Sequence, residues 1–285
     1  MNLLDLKKRE FKRSEFWQYM SLGGSFLIYA IGVVTGFFDS NAKLVKFLAI
    51  ASVAIQFFSF LFRHLSAVHA DLGGEINRRN NFAHGLDIQP SREEVEDWHI
   101  RVGTVKPGGM DNEHYFDTET EEPSPKKLLE LTRVSAYFTT NIAGRAAIAF
   151  GSISAVGFFF FVYLLIILVQ AGVTATNLER INRVVIASMG FWASGELAWL
   201  ALCYYRLSQT ARRNRDRCAE ALGRSGKIDL AEAMVIVGEY NCATAQCPTL
   251  PELIYNRLKS DLNIALESTK QSSDEIGLKK NLSGD

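Results

Sequence analysis

Four apolar stretches, set as two close pairs on either side of a long polar segment, restrict this chain more than any motif does. They cover residues 19–38, 45–62, 146–170 and 184–205. Each approaches the ~20 apolar residues with which a helix crosses about 30 Å of hydrocarbon. Lipid offers the backbone no hydrogen-bond partner, so a helix is the form such a stretch takes there. Phe158-Phe159-Phe160-Phe161 and the run from Val162 to Val169 are apolar on every face, which suits lipid better than the half-buried face of a soluble helix. The first stretch has a basic start but ends in Phe37-Phe38-Asp39 without a small-residue cleavage site, and so reads as a retained span, not a signal peptide. The expected fold class is an all-α membrane protein with four transmembrane helices in two hairpins and a mostly helical cytoplasmic domain.

The bulk composition, with a formal net charge of +0 and 48% hydrophobic residues, would suit a soluble enzyme if it were spread evenly. It is not. The chain divides into a basic N-terminus (1–18), a first hairpin (19–62), a polar insert (63–145), a second hairpin (146–205), a helical region (206–266) and a Ser- and Lys-rich tail (267–285) with little to bury. Lys and Arg near the span ends set the orientation. Lys7, Lys8, Arg9, Lys12 and Arg13 precede the first span, and Arg63, Arg78 and Arg79 follow the second. Lys126, Lys127, Arg133 and Arg145 precede the third, and Arg206, Arg212, Arg213, Arg215 and Arg217 follow the fourth. The short connections opposite hold only Lys43, Lys46, Arg180 and Arg183. Both termini and the insert are therefore expected in the cytoplasm, with the chain multi-pass in the membrane.

Cys203, Cys218, Cys242 and Cys247 then lie in reducing territory. Cys242 and Cys247 are too far apart for a zinc knuckle and have no second pair, so no metal site is expected. The five histidines form no catalytic arrangement. Ser91 followed by Glu94 makes a capping box, and Ser124-Pro125 an N-cap and N1 pair for a helix entering the third span. On that helix Leu128, Leu131, Phe138 and Ile142 share one side, while Arg133, Tyr137 and Asn141 line the other. Gly73-Gly74 suggests a break or kink in the helix that continues from the second span, and residues 101–122 read as a loop with room for short strands. Helices are expected from Arg206 to Leu222 ended by Gly223, at about Asp229–Tyr240, and at Leu250–Leu266.

Within the spans, Gly32-x-x-x-Gly36 and Gly151-x-x-x-Ala155 are small-residue patterns that let helices approach closely. Glu196 sits near the middle of the fourth span, where a carboxylate costs roughly 2.5 kcal/mol or more. Ser188, Trp192, Gly195, Trp199 and Cys203 are expected on its stripe, which must face protein or water. Two readings stand: Glu196, with Ser188, Trp192 and Trp199, lines a pore or gate or acts as a proton-sensitive latch, or a protonated Glu196 only bonds a neighbouring helix, with Gln56 a candidate partner. No phosphate-binding loop, nucleophile elbow or carboxylate pair appears, so no enzyme and no cofactor is expected. Arg212, Arg213 and Arg215 suit anionic lipid headgroups. Arg78, Arg79, Tyr115, Arg133, Tyr137, Tyr240 and Asn241 combine arginine forks for phosphates with aromatic faces for bases. If their segments converge they make a nucleotide pocket; solvated surface is the alternative for each one alone.

The layout of two spans, an insert, two spans and a helical C-terminal region resembles the SMODS-associated four-transmembrane effectors of bacterial cyclic-oligonucleotide anti-phage signalling (CBASS). The resemblance is carried locally by His114-Tyr115-Phe116 upstream of Leu128-Leu129-Glu130, by Ser135-Ala136-Tyr137-Phe138, and by Gly238-Glu239-Tyr240-Asn241 followed by Pro248, Leu250-Pro251 and Ile254-Tyr255. It departs at Cys242 and Cys247, where apolar and proline residues would be expected. The resemblance implies an oligomeric effector that binds a cyclic di- or trinucleotide in the cytoplasm and permeabilises the inner membrane, killing the infected cell. No polymeric nucleic acid is expected as a partner. The other function classes are a constitutive or lipid-regulated small ion channel and a non-conducting anchor for a cytosolic partner.

Overall fold

The computed structural model describes residues 3–37, 42–102, 122–170, 196–224 and 226–266, and every regular element among them is a helix. In chain order these are α1 (Leu3–Phe37), α2 (Ala42–Leu86), α3 (Arg92–Val102), α4 (Pro125–Gln170), α5 (Glu196–Gly223), α6 (Leu230–Ala245) and α7 (252–266). The all-helical expectation holds for the described residues. Residues 103–121, where short strands were envisaged, and the tail from 267 lie outside them.

Two long hairpins form the frame: α1 runs antiparallel to α2, and α4 antiparallel to α5. With 46 residues, α4 is about 69 Å long at 1.5 Å per residue, more than twice the ~30 Å of a hydrocarbon core. The expected domain boundaries at 62/63, 145/146 and 205/206 thus fall inside unbroken helices. Two helical segments, Ile50–Leu86 and Pro125–Phe159, are long and apolar enough to cross a membrane, with mean hydropathies of 1.3 and 1.5. Only 11% and 17% of their apolar windows are buried, whereas the core helix of a soluble protein hides its apolar face. Phe47, Ile50, Val53, Phe57 and Phe60 on α2, with Ile148, Ile153, Val156 and Phe159 on α4, all stand exposed. Among the described residues two helices, not four, meet the length and composition of a span; most of the fourth stretch lies outside them.

Small residues hold the first hairpin together. Ser14 and Ser21 on α1 face Ser59, Ser66 and Gly73 on α2, each set stepping by seven residues along its helix, and all are buried. Seven-residue spacing keeps a seam in register along a pair of left-handed supercoiled helices. A Cβ on Gly24 would collide with Ser59 Oγ, and one on Gly73 would lie 3.1 Å from the Phe11 ring. That contact explains why Gly73-Gly74 does not break α2 as expected: the missing side chain accommodates α1, and the helix continues to Leu86. In the second hairpin a Cβ on Gly151 would meet Ala201 at 3.8 Å, so this part of the Gly151-x-x-x-Ala155 pattern does face a helix.

The shorter helices close the polar end. The capping box forms as expected, Glu94 N–H donating to Ser91 Oγ (3.1 Å) and Ser91 N–H to the Glu94 carboxylate (2.9 Å). It starts α3, which returns Trp98 and Val102, each 1% exposed, to Leu6, Leu72 and Ile76. Ser124 caps α4 through Lys127 N–H (3.2 Å), and its own N–H donates to Gly85 O (2.8 Å), where α2 and α4 meet. Leu128, Leu131, Phe138 and Ile142 are buried, as the helical period requires. Asp229 caps α6. α6 packs Ile236 and Val237 onto Leu128, Leu129 and Cys218, and α7 packs Leu262 against Phe138 and Ile142.

Burial sets the reactivity of the thiols outside the apolar segments. Cys218 is fully buried and its thiol is pushed up to about 11, and burial drives Cys247 to about 12, while Cys242 is exposed. The thiolate is the reacting species. At pH 8 a maleimide probe should therefore label Cys242 first, and Cys218 only once the fold is denatured. Rapid labelling of Cys218 in the folded protein would show that the α4–α5–α6 core is not packed as described.

Candidate functional site

The most constrained polar region lies where α1, α2, α5 and the 246–251 connection meet. Ser14 Oγ donates to Ser66 O and Ser66 Oγ donates back to Ser14 O, both at 2.8 Å. With its proton so used, Ser14 Oγ accepts from the Thr249 hydroxyl at 2.6 Å. The Thr249 carbonyl in turn accepts from Tyr204 OH (2.8 Å), which accepts from Gln18 Nε2 (3.2 Å). One network thus ties both hairpins to the segment carrying Pro248, Leu250 and Pro251. Glu15, largely buried on α1, accepts from Glu252 N–H (2.8 Å) and from Tyr19 OH (2.9 Å). A carboxylate there satisfies an unpaired amide at the start of α7 and complements the helix dipole. Further along the hairpin, Glu10 is wholly buried between Arg13 (2.8 Å) and His69 Nδ1 (2.6 Å), and Arg13 also donates to Val102 O at the end of α3 (3.2 Å).

Glu196 forms an ion pair with Arg63 of α2. The anticipated partner, Gln56, is replaced by the first charged residue beyond the second apolar stretch, because a buried carboxylate gains most from a full opposite charge. The pair joins the two hairpins at the edge of the exposed apolar surface. The Glu196 side chain is 8% exposed and that of Arg63 51%, so the anion depends on the cation more than the reverse. Trp199 lies within about 60° of Glu196 on the helix but is not buried with it. The buried line of α5 continues through Leu200, Tyr204, Leu207 and Ala211, whereas Trp199 is 53% exposed. At 100° per residue, positions three and four beyond Glu196 lie on opposite sides of it, and α4 covers only the second. Ser188 and Trp192 lie outside the described residues.

The proposed nucleotide-binding residues meet only in part. Tyr240 on α6 is 5% exposed, and its hydroxyl shares a 2.7 Å hydrogen bond with Thr139 of α4. Burial pushes its phenol up to about 12, against the pull of that bond. Asn241 is buried beside it, and Tyr137 packs into the cluster of Phe138, Ile142 and Leu262. Arg133 lies close enough to Cys218 to oppose the upward shift of that thiol. So Arg133, Tyr240 and Asn241 gather around the α4–α6 contact, where Tyr240 and Asn241 are buried, while Tyr137 is partly buried and packs towards α7. Arg79 is paired with Glu94, tying α3 to α2, Arg78 is half-buried on α2, and Tyr115 lies outside the described residues. Of the expected lipid-facing arginines, Arg212 and Arg213 are exposed, while Arg215 binds Asp216 at 2.7 Å.

The sequence reading missed the Ser14–Ser66–Thr249 network and the cap from Glu15 to Glu252. The only local signal was the seven-residue step of small residues along α1 and α2. Comparison with protein-family models, curated proteins and solved structures gives no match.

Removing one partner of a buried ion pair costs about 3–5 kcal/mol when the survivor stays buried. Arg63→Gln leaves the buried carboxylate alone and should approach that cost. Glu196→Gln leaves a half-exposed guanidinium free to reach solvent, and should cost about 1 kcal/mol, the worth of an ordinary polar contact. Thermal unfolding in detergent should rank them so, with the double variant less damaged than Arg63→Gln; equal losses would disprove the asymmetry. Tyr240→Phe should lower stability by about 1 kcal/mol by stranding the Thr139 hydroxyl. A Tyr240→Phe protein of unchanged stability but altered ligand response would instead make Tyr240 a binding residue.

Proposed function

We propose that this chain is a multi-pass protein of the bacterial inner membrane that acts as a ligand-gated effector. Both hairpins cross the bilayer, both termini are cytoplasmic, and a cytoplasmic signal opens a path through the membrane, with oligomerisation completing the pore. The observation that carries this reading is continuity: α2 and α4 pass without a break from exposed apolar segments into a packed polar end. An unbroken helix transmits a rotation or shift along its axis, so a rearrangement among α3, α6 and α7 must act at the apolar end. The Arg63–Glu196 pair sits where the two hairpins would separate.

The ligand class rests on the resemblance to CBASS effectors: a cyclic di- or trinucleotide. Arg133 and Arg78 supply positive charge for its phosphates on the cytoplasmic part of the frame. With Tyr240 and Asn241 buried, such a ligand reaches them only if α6 moves off α4. That makes binding and rearrangement one event. The ligand can shift the equilibrium only by its differential affinity for the two states.

The test is dye leakage from liposomes carrying the purified protein, with a panel of cyclic di- and trinucleotides added on either side. Leakage triggered by one of them, from the side bearing the polar end, is the expected result, and Arg133→Ala should abolish it. Steady leakage indifferent to every nucleotide would replace this reading with a constitutive channel. No leakage from folded, inserted protein would leave a non-conducting anchor.

A further inference from the structure

A groove of about 720 Å³ runs along the outer face of α4 and α5. It falls within the roughly 300–1,000 Å³ typical of small-ligand sites. Its two ends differ in chemistry. Towards the polar end of the molecule it is lined by Asn141, Arg145 and Gln209; its other half is floored by small residues, including Gly151 and Ala201, and walled by Ile148. From Asn141 to Ser154 it extends 13 residues along α4, about 20 Å, close to half of the ~40–45 Å thickness of a bilayer with its headgroups. The Arg145 guanidinium is exposed and forms no hydrogen bond or ion pair among the described residues. No carboxylate lines the groove.

We propose that this groove holds one anionic phospholipid, its headgroup phosphate on Arg145 and the upper part of an acyl chain over Gly151 and Ala201. Charge decides the occupant. A second copy of the chain docked here across a two-fold axis would set Arg145 near its own equivalent with no acid between them, whereas a phosphate completes the guanidinium with paired N–H donors. A zwitterionic lipid fits the same shape but brings its own cation to the arginine. The site differs from the Arg212–Arg213 surface, which has charge but no apolar half. Glycine and alanine matter because any larger side chain on the floor would occupy the chain's volume; a Cβ on Gly151 already reaches ordinary contact with Ala201 at 3.8 Å.

The inference rests on the membrane reading above, and the experiment separates the two. Flotation with phosphatidylcholine vesicles tests membrane insertion, and native mass spectrometry from detergent then counts retained lipid when phosphatidylglycerol and phosphatidylcholine are added in equal amounts. The wild-type protein should float and retain one phosphatidylglycerol with about fivefold preference, the effect of one basic residue near anionic lipid. Arg145→Gln should remove the preference and keep binding. Gly151→Leu should lose both, with helicity and melting temperature confirming that it folds. Soluble glycerol 3-phosphate should not compete, since it lacks the acyl chain. Failure to float overturns the membrane reading and this inference with it. Flotation without preference, a preference that survives Arg145→Gln but vanishes with Arg212→Gln/Arg213→Gln, or a dimer lost in Gly151→Leu each overturns the lipid site alone.

Discussion

A carboxylate at the edge of an apolar surface must find an opposite charge, and the pairing of Glu196 with Arg63 arranges much of what surrounds it. With Glu196 held towards α2, the face of α5 that turns inward is fixed by the helical period. Leu200, Tyr204 and Leu207 follow on the same side. That placement brings the Tyr204 hydroxyl to the Thr249 carbonyl, and hence seats the 246–251 connection between the hairpins. Trp199 is turned outward by the same choice. A pair placed there can fix the register of α5 against α2, a use for buried ions better attested than stabilisation as such.

Within the first hairpin the contact between α1 and α2 relies on small and polar residues, which suits the membrane reading proposed above. Where the alternative to a helix–helix contact is lipid, burying leucine against leucine gains little, and close packing with hydrogen bonds drives association instead. Ser14, Ser21, Ser59, Ser66, Gly24 and Gly73 fit that requirement along α1 and α2. The reciprocal Ser14–Ser66 hydrogen bonds need backbones close enough for each hydroxyl to reach the opposite carbonyl. Larger hydrophobes take over at the polar end, where Trp98, Ile76, Leu128, Leu129 and Ile236 form cores of the kind water enforces. The change from one packing chemistry to the other occurs within single helices.

What could be read from the sequence was local or periodic. The Ser91–Glu94 box, the Ser124-Pro125 start of α4, the Asp229 start of α6 and the buried side of α4 each depend on residues within a few positions of one another. The pairing of Glu196 with Arg63 does not, nor does the cap that Glu15 provides to Glu252 across 237 residues. Gly73-Gly74 shows how local reasoning misleads. Glycine lowers helix propensity by about 1 kcal/mol, but here the absent side chain admits Phe11, and that tertiary contact outweighs the propensity. Arg79 and Tyr240 show the same limit, since their partners Glu94 and Thr139 could not be read from neighbouring positions.

Those contacts shape how the ligand proposed above would act. To bias a two-state equilibrium from 1:99 to 99:1, a ligand must favour one state by about 5.5 kcal/mol. Drawing Tyr240 into a ligand contact first breaks its bond to Thr139, at about 1 kcal/mol for the stranded hydroxyl. It also separates α6 from α4 where Ala136, Ala211 and Tyr240 are packed together. A state with α6 withdrawn would loosen the covering of Cys218 and the seat of α5 against α4. The movement would then travel down α5, through Tyr204 and Thr249, to the residue that holds the hairpins together. In the proposed reading, the contact of α6 with Ala211 and the Arg63–Glu196 pair both lie along α5, and the pair is where a rearrangement at the polar end would be felt in the apolar one.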